Sequence, residues 1–236
     1  MMAKEVKYFE SDIKALLIQF LMEKNILSED AIIINELTVD KYARRADIVL
    51  LKKDELHAYE IKSDADSLTR LDGQISKYLE YFDKVTVVVT RKHTEKALLA
   101  SPMQVSVIEL NNDKFKIIRR GRKIKNTRKE SFISLMTSVE LRTLASRIGL
   151  AANSYKRKDL EKAMSLATLK QLREHAILCL KKKYSRQFDK FSEETSHRVV
   201  KSTDISLLSV HKRTSNHHNG TQNIKDIINN LYAIEQ

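Results

Sequence analysis

The 236-residue sequence has one cysteine, one proline, four glycines and no tryptophan. With Cys179 alone, a chain cannot close an internal disulfide or build a cysteine-based zinc site, so stability has to come from packing. Four glycines leave no material for glycine-rich phosphate loops, and nucleotide-binding enzymes of the dinucleotide or P-loop kind are set aside. No run approaches the ~20 consecutive apolar residues that cross a bilayer. Residues 1–10 also lack the apolar stretch of a secretory signal. The expectation is a soluble, cytoplasmic protein with no membrane partner.

What is present is a chain 42% hydrophobic, enough for one substantial core or two small ones. Its net charge of +12 is unevenly spread: residues 1–118 carry 18 Lys and Arg against 20 Asp and Glu, and residues 119–236 carry 25 against 11. A basic half of that kind suits a polyanion, and nucleic acid is the commonest one, because each phosphate contact releases counterions. A solvated lysine-rich surface fits the same composition.

Helical spacing of Ile13, Leu16, Leu17, Phe20 and Leu21 predicts a helix over 11–24, with Ser11 as its N-cap. Three strand-like runs follow at 31–39, 44–51 and 55–62, the last two joined as a hairpin by Lys52, Lys53 and Asp54. A polar helical stretch over 66–82 leads to a strand at 84–90, whose valines suit burial on both faces. A short helix at 94–100 and strands at 105–110 and 114–119 complete an α/β unit, a mixed central β-sheet flanked by helices. Residues 119–129 read as a basic linker. Beyond it, helices at 138–148, 156–165 and 169–184, with Gly149 closing the first, predict a basic all-helical C-terminal unit over 130–185. Residues 186–236 read as a poorly packed polar tail ending in an amphipathic segment at 224–234. His197, His211, His217 and His218 in that tail lack metal-ligand spacing and are expected to be solvated. On this reading the α/β unit is complete by residue 118, and a chain ending near Arg119 should fold.

The constellation that can carry chemistry is Asp47, Glu60 and Lys62. In a strand, Glu60 and Lys62 project to one face while Tyr59 and Ile61 project to the other, and a hairpin can bring Asp47 beside them. Two carboxylates on neighbouring strands make a hard oxygen site suited to Mg²⁺ or Mn²⁺. A lysine two residues on can orient an attacking water and offset phosphate charge. Carboxylate-x-lysine by itself is a weak pattern that also occurs at Glu5–Lys7 and Asp12–Lys14. Only the third instance lies in an apolar strand with another acid on the strand before it; the alternative there is an ordinary Glu–Lys pair on a solvated rim. Arg44, Arg45 and Lys77 are candidate phosphate contacts. Asp64, Asp66 and Arg70 read as capping and helix-surface residues.

Arg45-Ala46-Asp47, Tyr59-Glu60-Ile61-Lys62 and Gln74-Ile75-Ser76-Lys77-Tyr78 stand in the order of the PD-(D/E)xK nuclease superfamily. The chain resembles its small bacterial and phage members near the MmcB-like DNA-repair proteins, over about residues 10–110. The resemblance implies a restriction-endonuclease-like fold and phosphodiester hydrolysis. It also implies metal held by Asp47 and Glu60 with help from an upstream Glu36, and water assisted by Lys62. Ala46 stands where proline stands in the name-giving pattern, a change that removes no ligand. Gln74 and Tyr78, four apart on one helix face, resemble the Gln-xxx-Tyr element of RecB-type nucleases that positions substrate; Tyr78 as plain core is the equal alternative.

In the basic half, residues 141–164 are similar to the helix-linker-helix of SAP-type DNA-binding modules, with Lys156, Arg157 and Lys158 at the start of the second helix. A generic helical hairpin fits the same residues. Arg120, Arg122 and Lys123 join those three as expected nucleic-acid contacts. The function expected is a metal-dependent nuclease acting on nucleic acid, DNA foremost. The rival is a non-catalytic nucleic-acid-binding or inhibitor protein of phage or mobile-element type that keeps a nuclease fold and engages a nucleic acid or a protein partner.

Overall fold

The computed structural model describes residues 7–27, 30–41, 43–151, 154 and 156–210. His211, His217, His218 and the segment 224–234 lie outside them.

One six-stranded mixed sheet organises the chain in the order β1-β2-β3-β4-β5-β6, so sequence neighbours are also sheet neighbours. The strands are β1 Ile32–Val39, β2 Arg44–Lys52, β3 Glu55–Lys62, β4 Lys84–Thr90, β5 Ser106–Asn111 and β6 Lys114–Arg119. β1, β2 and β3 form an antiparallel meander. β4 and β5 then add in parallel, and β6 returns antiparallel. Parallel addition needs a crossover, and α2 Leu71–Tyr81 and α3 Thr94–Ala100 supply the two.

Each face of the sheet carries its own core. Ile48, Tyr59, Ile61 and Val88 point to the face covered by α1 Glu10–Glu23. Val49, Ala58, Val85 and Val87 point to the face covered by α2 through Ile75, Tyr78 and Phe82. The α1 helix begins two residues earlier than the Ser11 cap expected: Phe9 is the cap residue, and its N–H donates to Asp12 Oδ2 at 3.1 Å. The α2 helix starts at Leu71 rather than at 66, because Asp66 turns back to accept from the Ser63 N–H at 2.7 Å and the Ser63 hydroxyl at 2.6 Å.

Residues 119–128 form a fixed strap. Arg122 N–H donates to the Gln104 carbonyl at 3.0 Å, Ile124 N–H to the Asp83 carbonyl at 2.7 Å, and Asn126 Nδ2 to the Glu80 carbonyl at 2.7 Å. A Cβ on Gly121 would collide with the Gln104 carbonyl and with the backbone nitrogen of Ser106. Backbone cannot swing aside as a side-chain end does. Gly121→Ala is therefore expected to destabilise the protein by roughly 1–3 kcal/mol, checked by the shift in urea midpoint.

After the strap come α4 Lys129–Leu135, α5 Ser138–Arg147, α6 Arg157–Met164 and α7 Leu169–Thr195. Gly149 closes α5 at φ +68°, the left-handed conformation expected of it. Phe132, Leu141, Leu144, Leu160, Met164 and Leu172 make a third core among these helices.

The boundary expected at residue 185 is not there. α7 runs 27 residues, to Thr195, and serves all three cores: Leu172 and Ala176 the third, Ile177, Leu180 and Tyr184 the α2 face, Phe191 the α1 face. The 3-10 segment Ser202–Leu208 follows, and its Ile205 and Leu208, with Val200, pack into the α1-face core. Residues 186–210, read from their polarity as a loose tail, are thus a packed part of the fold. The α/β core is not complete at residue 118 either, since residues from 177 to 208 finish both of its faces. No helix among the described residues is long and apolar enough to cross a membrane.

Candidate active site

β2 and β3 pair from Lys52↔Glu55 as far as Ile48↔Tyr59 and then separate. At the point of separation the next residues in register are Asp47 and Glu60. β3 stays bound to β4 through Lys62↔Val89, so it is β2 that leaves. The Ile61 N–H accordingly finds no ladder partner on β2, and donates to Asp47 Oδ2 at 2.7 Å. A side-chain acceptor takes the place of a main-chain one.

Glu60 lies on the α2 face and is 1% exposed. Burying a carboxylate costs several kcal/mol unless donors surround it, and three do. Lys62 Nζ and Gln74 Nε2 each donate to Oε1 at 2.6 Å, and Tyr78 OH donates to Oε2 at 2.8 Å. The same Tyr78 hydroxyl stands 2.7 Å from the Arg45 carbonyl, so one proton ties β2, β3 and α2 together in turn. Gln74 and Tyr78 share a face of α2 because they are four residues apart. Tyr78 is fully buried, so its hydroxyl acts on Glu60 and Arg45 and not on a ligand in solvent.

Asp47 is half-buried and faces the opposite circumstance. Its carboxyl is pushed up to about 8, first by burial and then by the charge of Glu60, while the Ile61 N–H and Lys14 pull it down. An acid held above its unfolded value near 3.9 keeps its proton in the native state where the unfolded chain has lost it. Its contribution to stability is whole below about pH 4, falls as pH rises through the window up to about 8, and is level above. Asp47→Asn, which keeps an oxygen for Ile61, should therefore be more stable than the parent by about 1–3 kcal/mol at pH 8. The difference should vanish near pH 4. Urea unfolding of both proteins across that range reads it.

Glu36 sits in β1 opposite Asp47, between the pairs Asn35↔Ile48 and Leu37↔Ala46, with φ +60°. Its carboxylate is held by cations, Oε2 by Arg45 Nη1 at 3.0 Å and Oε1 by Lys14 Nζ at 3.5 Å. Lys14 is the residue that sequence reasoning passed over. It is buried on α1 and also bonds Glu10 at 2.7 Å. The signal was available: Lys14 stands in the apolar stripe with Leu17 and Leu21, where a lysine has to find an acid.

The other expected contacts divide. Arg44 lies beside Gly73 at the first turn of α2. Lys77 bonds Glu80 at 3.1 Å and Asp40 at 3.7 Å. Lys156, Lys158, Arg120, Arg122 and Lys123 are exposed, and Lys123 bonds Glu55 at 2.5 Å. Arg157 is different from its neighbours: it bonds Glu161 at 2.7 Å and donates to the carbonyls of Met136 and Ile133, closing the end of α4. A guanidinium committed to three internal acceptors holds α4 against α6 and has few donors left for phosphate, so the expectation for Arg157 is corrected on that ground.

Among the described residues, no three His, Cys, Asp or Glu side chains gather closely enough to enclose a metal. Mg²⁺ does not require such a cage, since it keeps several waters and is held by one or two carboxylates. Asp47 and Glu60 meet that requirement. Glu60 accepts three hydrogen bonds of about four that a carboxylate can take, and a cation between the two acids would relieve the part of the Asp47 shift that Glu60 adds to that of burial.

Fold and site together define a mixed-sheet α/β protein with a buried Glu60–Lys62–Gln74–Tyr78 cluster beside a proton-holding Asp47. The chain belongs to the bacteriophage P4 protein cII family, whose pattern matches residues 3–209. It is 35% identical over 213 residues to protein cII of Enterobacteria phage P4, spanning 88% of this chain and 80% of that protein. Among solved structures, a protein of unknown function from Silicibacter pomeroyi superposes with a TM-score of 0.40 at 20% identity, over 62% of this chain and 94% of the other.

Proposed function

We propose that this protein is a divalent-metal-dependent nuclease of the PD-(D/E)xK type, with a restriction-endonuclease-like core, acting on DNA in the cytoplasm. The observation that carries the reading is the parting of β2 from β3 at Asp47 and Glu60, with the Lys62 ammonium fixed 2.6 Å from Glu60. Asp47 and Glu60 would hold Mg²⁺ or Mn²⁺, which supplies positive charge against the phosphate and a coordination position for its oxygen. Lys62 Nζ, held by Glu60, orients an attacking water and offsets charge gathering on the phosphate oxygens. Gln74 and Tyr78 fix the Glu60 rotamer, so the acid pays no ordering entropy when substrate arrives. The excess of basic residues beyond residue 118 supports a polyanionic partner.

Titrating Mg²⁺ and Mn²⁺ into the protein with end-labelled single-stranded, duplex and branched DNA tests the reading. Cleavage should require metal, stop in EDTA and be lost in Asp47→Asn. Metal-independent binding to these DNAs without cleavage by either ion would replace it with the non-catalytic alternative.

A further inference from the structure

A cavity of about 790 Å³ opens between the end of β1, the α4–α5 turn, α6 and α7. Its floor begins at Leu37, next in sequence to Glu36 and paired across the ladder with Ala46, the neighbour of Asp47. Leu37, Val39, Leu180 and Tyr184 of this cavity belong to the same core as Tyr78, so the cavity lies on the sheet face that carries Glu60. It therefore shares a face and an end of the sheet with the two acids.

The chemistry of the lining is divided. Leu37, Val39, Met136 and Leu180 lie buried beneath it, half-buried Leu135 and Cys179 give it apolar surface, and Lys41, Lys158 and Lys183 stand exposed at its rim. Its two acids are both engaged: Glu161 is bonded by Arg157 at 2.7 Å and Lys41 at 3.9 Å, and Glu140 accepts the Thr137 N–H at 2.6 Å. That leaves Lys158 and Lys183 as rim cations with no acid partner among the described residues.

We propose that this groove takes a single strand of nucleic acid and leads it to Asp47 and Glu60, a proposal that rests on the nuclease reading above and names its substrate class. Single strands are held by cations that track the backbone combined with apolar or aromatic surface for base faces. The groove offers both at once, lysines outside and apolar surface inside. Its volume lies within the roughly 300–1,000 Å³ of sites that enclose small molecules, which gives room for a few bases. A duplex would have to unstack a base to place its face against that surface. The surplus of positive charge in a groove with low-dielectric sides also draws a polyanion towards the acids, which by themselves repel it.

Cys179 is the sole cysteine and lines this groove, so its alkylation rate reports occupancy. The experiment uses the full chain in EDTA, with fluorescent single-stranded DNA and RNA dodecamers and a DNA duplex of the same length, at alkaline pH because burial and Glu140 hold the thiol high. Either single strand at saturation should slow Cys179 alkylation several-fold, and the duplex should not. The pair Lys158→Glu and Lys183→Glu should weaken single-strand binding about tenfold or more at low salt, by removing phosphate contacts and adding repulsion. The matching pair Lys114→Glu and Lys116→Glu, on β6 at the far edge of the sheet, should change it little. Unchanged alkylation under saturating single strand, equal protection by duplex, or equal loss from the β6 pair would each overturn the proposal. The two readings fail separately. Metal-dependent cleavage with Cys179 unprotected removes the groove and keeps the nuclease; protection of Cys179 with no cleavage in Mg²⁺ or Mn²⁺ keeps the groove and removes the nuclease.

Discussion

If the protein is the nuclease proposed above, Glu60→Ala is expected to lower metal-dependent cleavage on the order of 10³-fold or more, since it would remove a metal-holding charge from the reacting centre. It should also damage the fold. Lys62, Gln74 and Tyr78 all donate to this one carboxylate; its loss strands a buried ammonium and the Gln74 amide, while Tyr78 keeps the Arg45 carbonyl. Breaking a buried pair by deleting one partner costs about 3–5 kcal/mol. Asp47→Asn is expected to abolish cleavage to the same degree while raising stability above neutral pH, because the residue removed is an acid the fold keeps protonated. The two acids thus separate by calorimetry although they coincide in activity. Tyr78→Phe supplies the graded case. It touches Glu60 without joining the substrate, and outer-shell partners of metal ligands are worth about 10–100-fold. Initial cleavage rates in Mn²⁺ together with melting temperatures at pH 8 measure all three. Should Glu60→Ala retain parental rates, the reacting centre is elsewhere in the chain.

The second large effect concerns truncation. A chain ending at Arg119 loses Ile177, Leu180, Tyr184, Phe191, Val200, Ile205 and Leu208, all buried against the sheet. Each such side chain contributes about 1.5–3 kcal/mol by burial, and together they match or exceed the roughly 5–15 kcal/mol of net stability typical of a domain. Residues 1–119 alone are therefore expected to be unfolded or aggregated, with no cooperative melting transition. The full chain should melt in a single step, since α7 belongs to all three cores. A soluble fragment with a sharp transition and a native near-ultraviolet spectrum would show that the sheet stands without α7.

Strands and acids were readable from the residues. Val85, Val87, Val88 and Val89 could be nothing but a strand buried on both faces, and the alternation around Glu60 set its direction correctly relative to Tyr59 and Ile61. The second half of α7 was hidden because its buried stripe thins to Tyr184, Phe188, Phe191 and Thr195 among charged neighbours, one anchor per turn in place of two. α4 was hidden for a related reason. Seven residues are too few for periodicity to show, and the helix is fixed from outside, by Arg157 at its end and by Ser131 donating to the Glu80 carbonyl at 2.7 Å. The embrace of Glu60 by Gln74 and Tyr78 needed the crossover helix to land over β3. The four-residue spacing is visible in sequence, but the landing is a property of the sheet order.

The substitution of a carboxylate for a ladder acceptor at Ile61 gives the protein a built-in spectroscopic reporter. A charged carboxylate accepts a shorter and stronger hydrogen bond than a neutral carboxyl does. The amide proton of Ile61 should therefore move downfield in nuclear magnetic resonance spectra as Asp47 ionises. It should move likewise at fixed pH when a divalent ion displaces the Asp47 proton. That single resonance follows the state of the acid without substrate, turnover or mutation, and it separates ion binding at this centre from ion binding anywhere else on the chain.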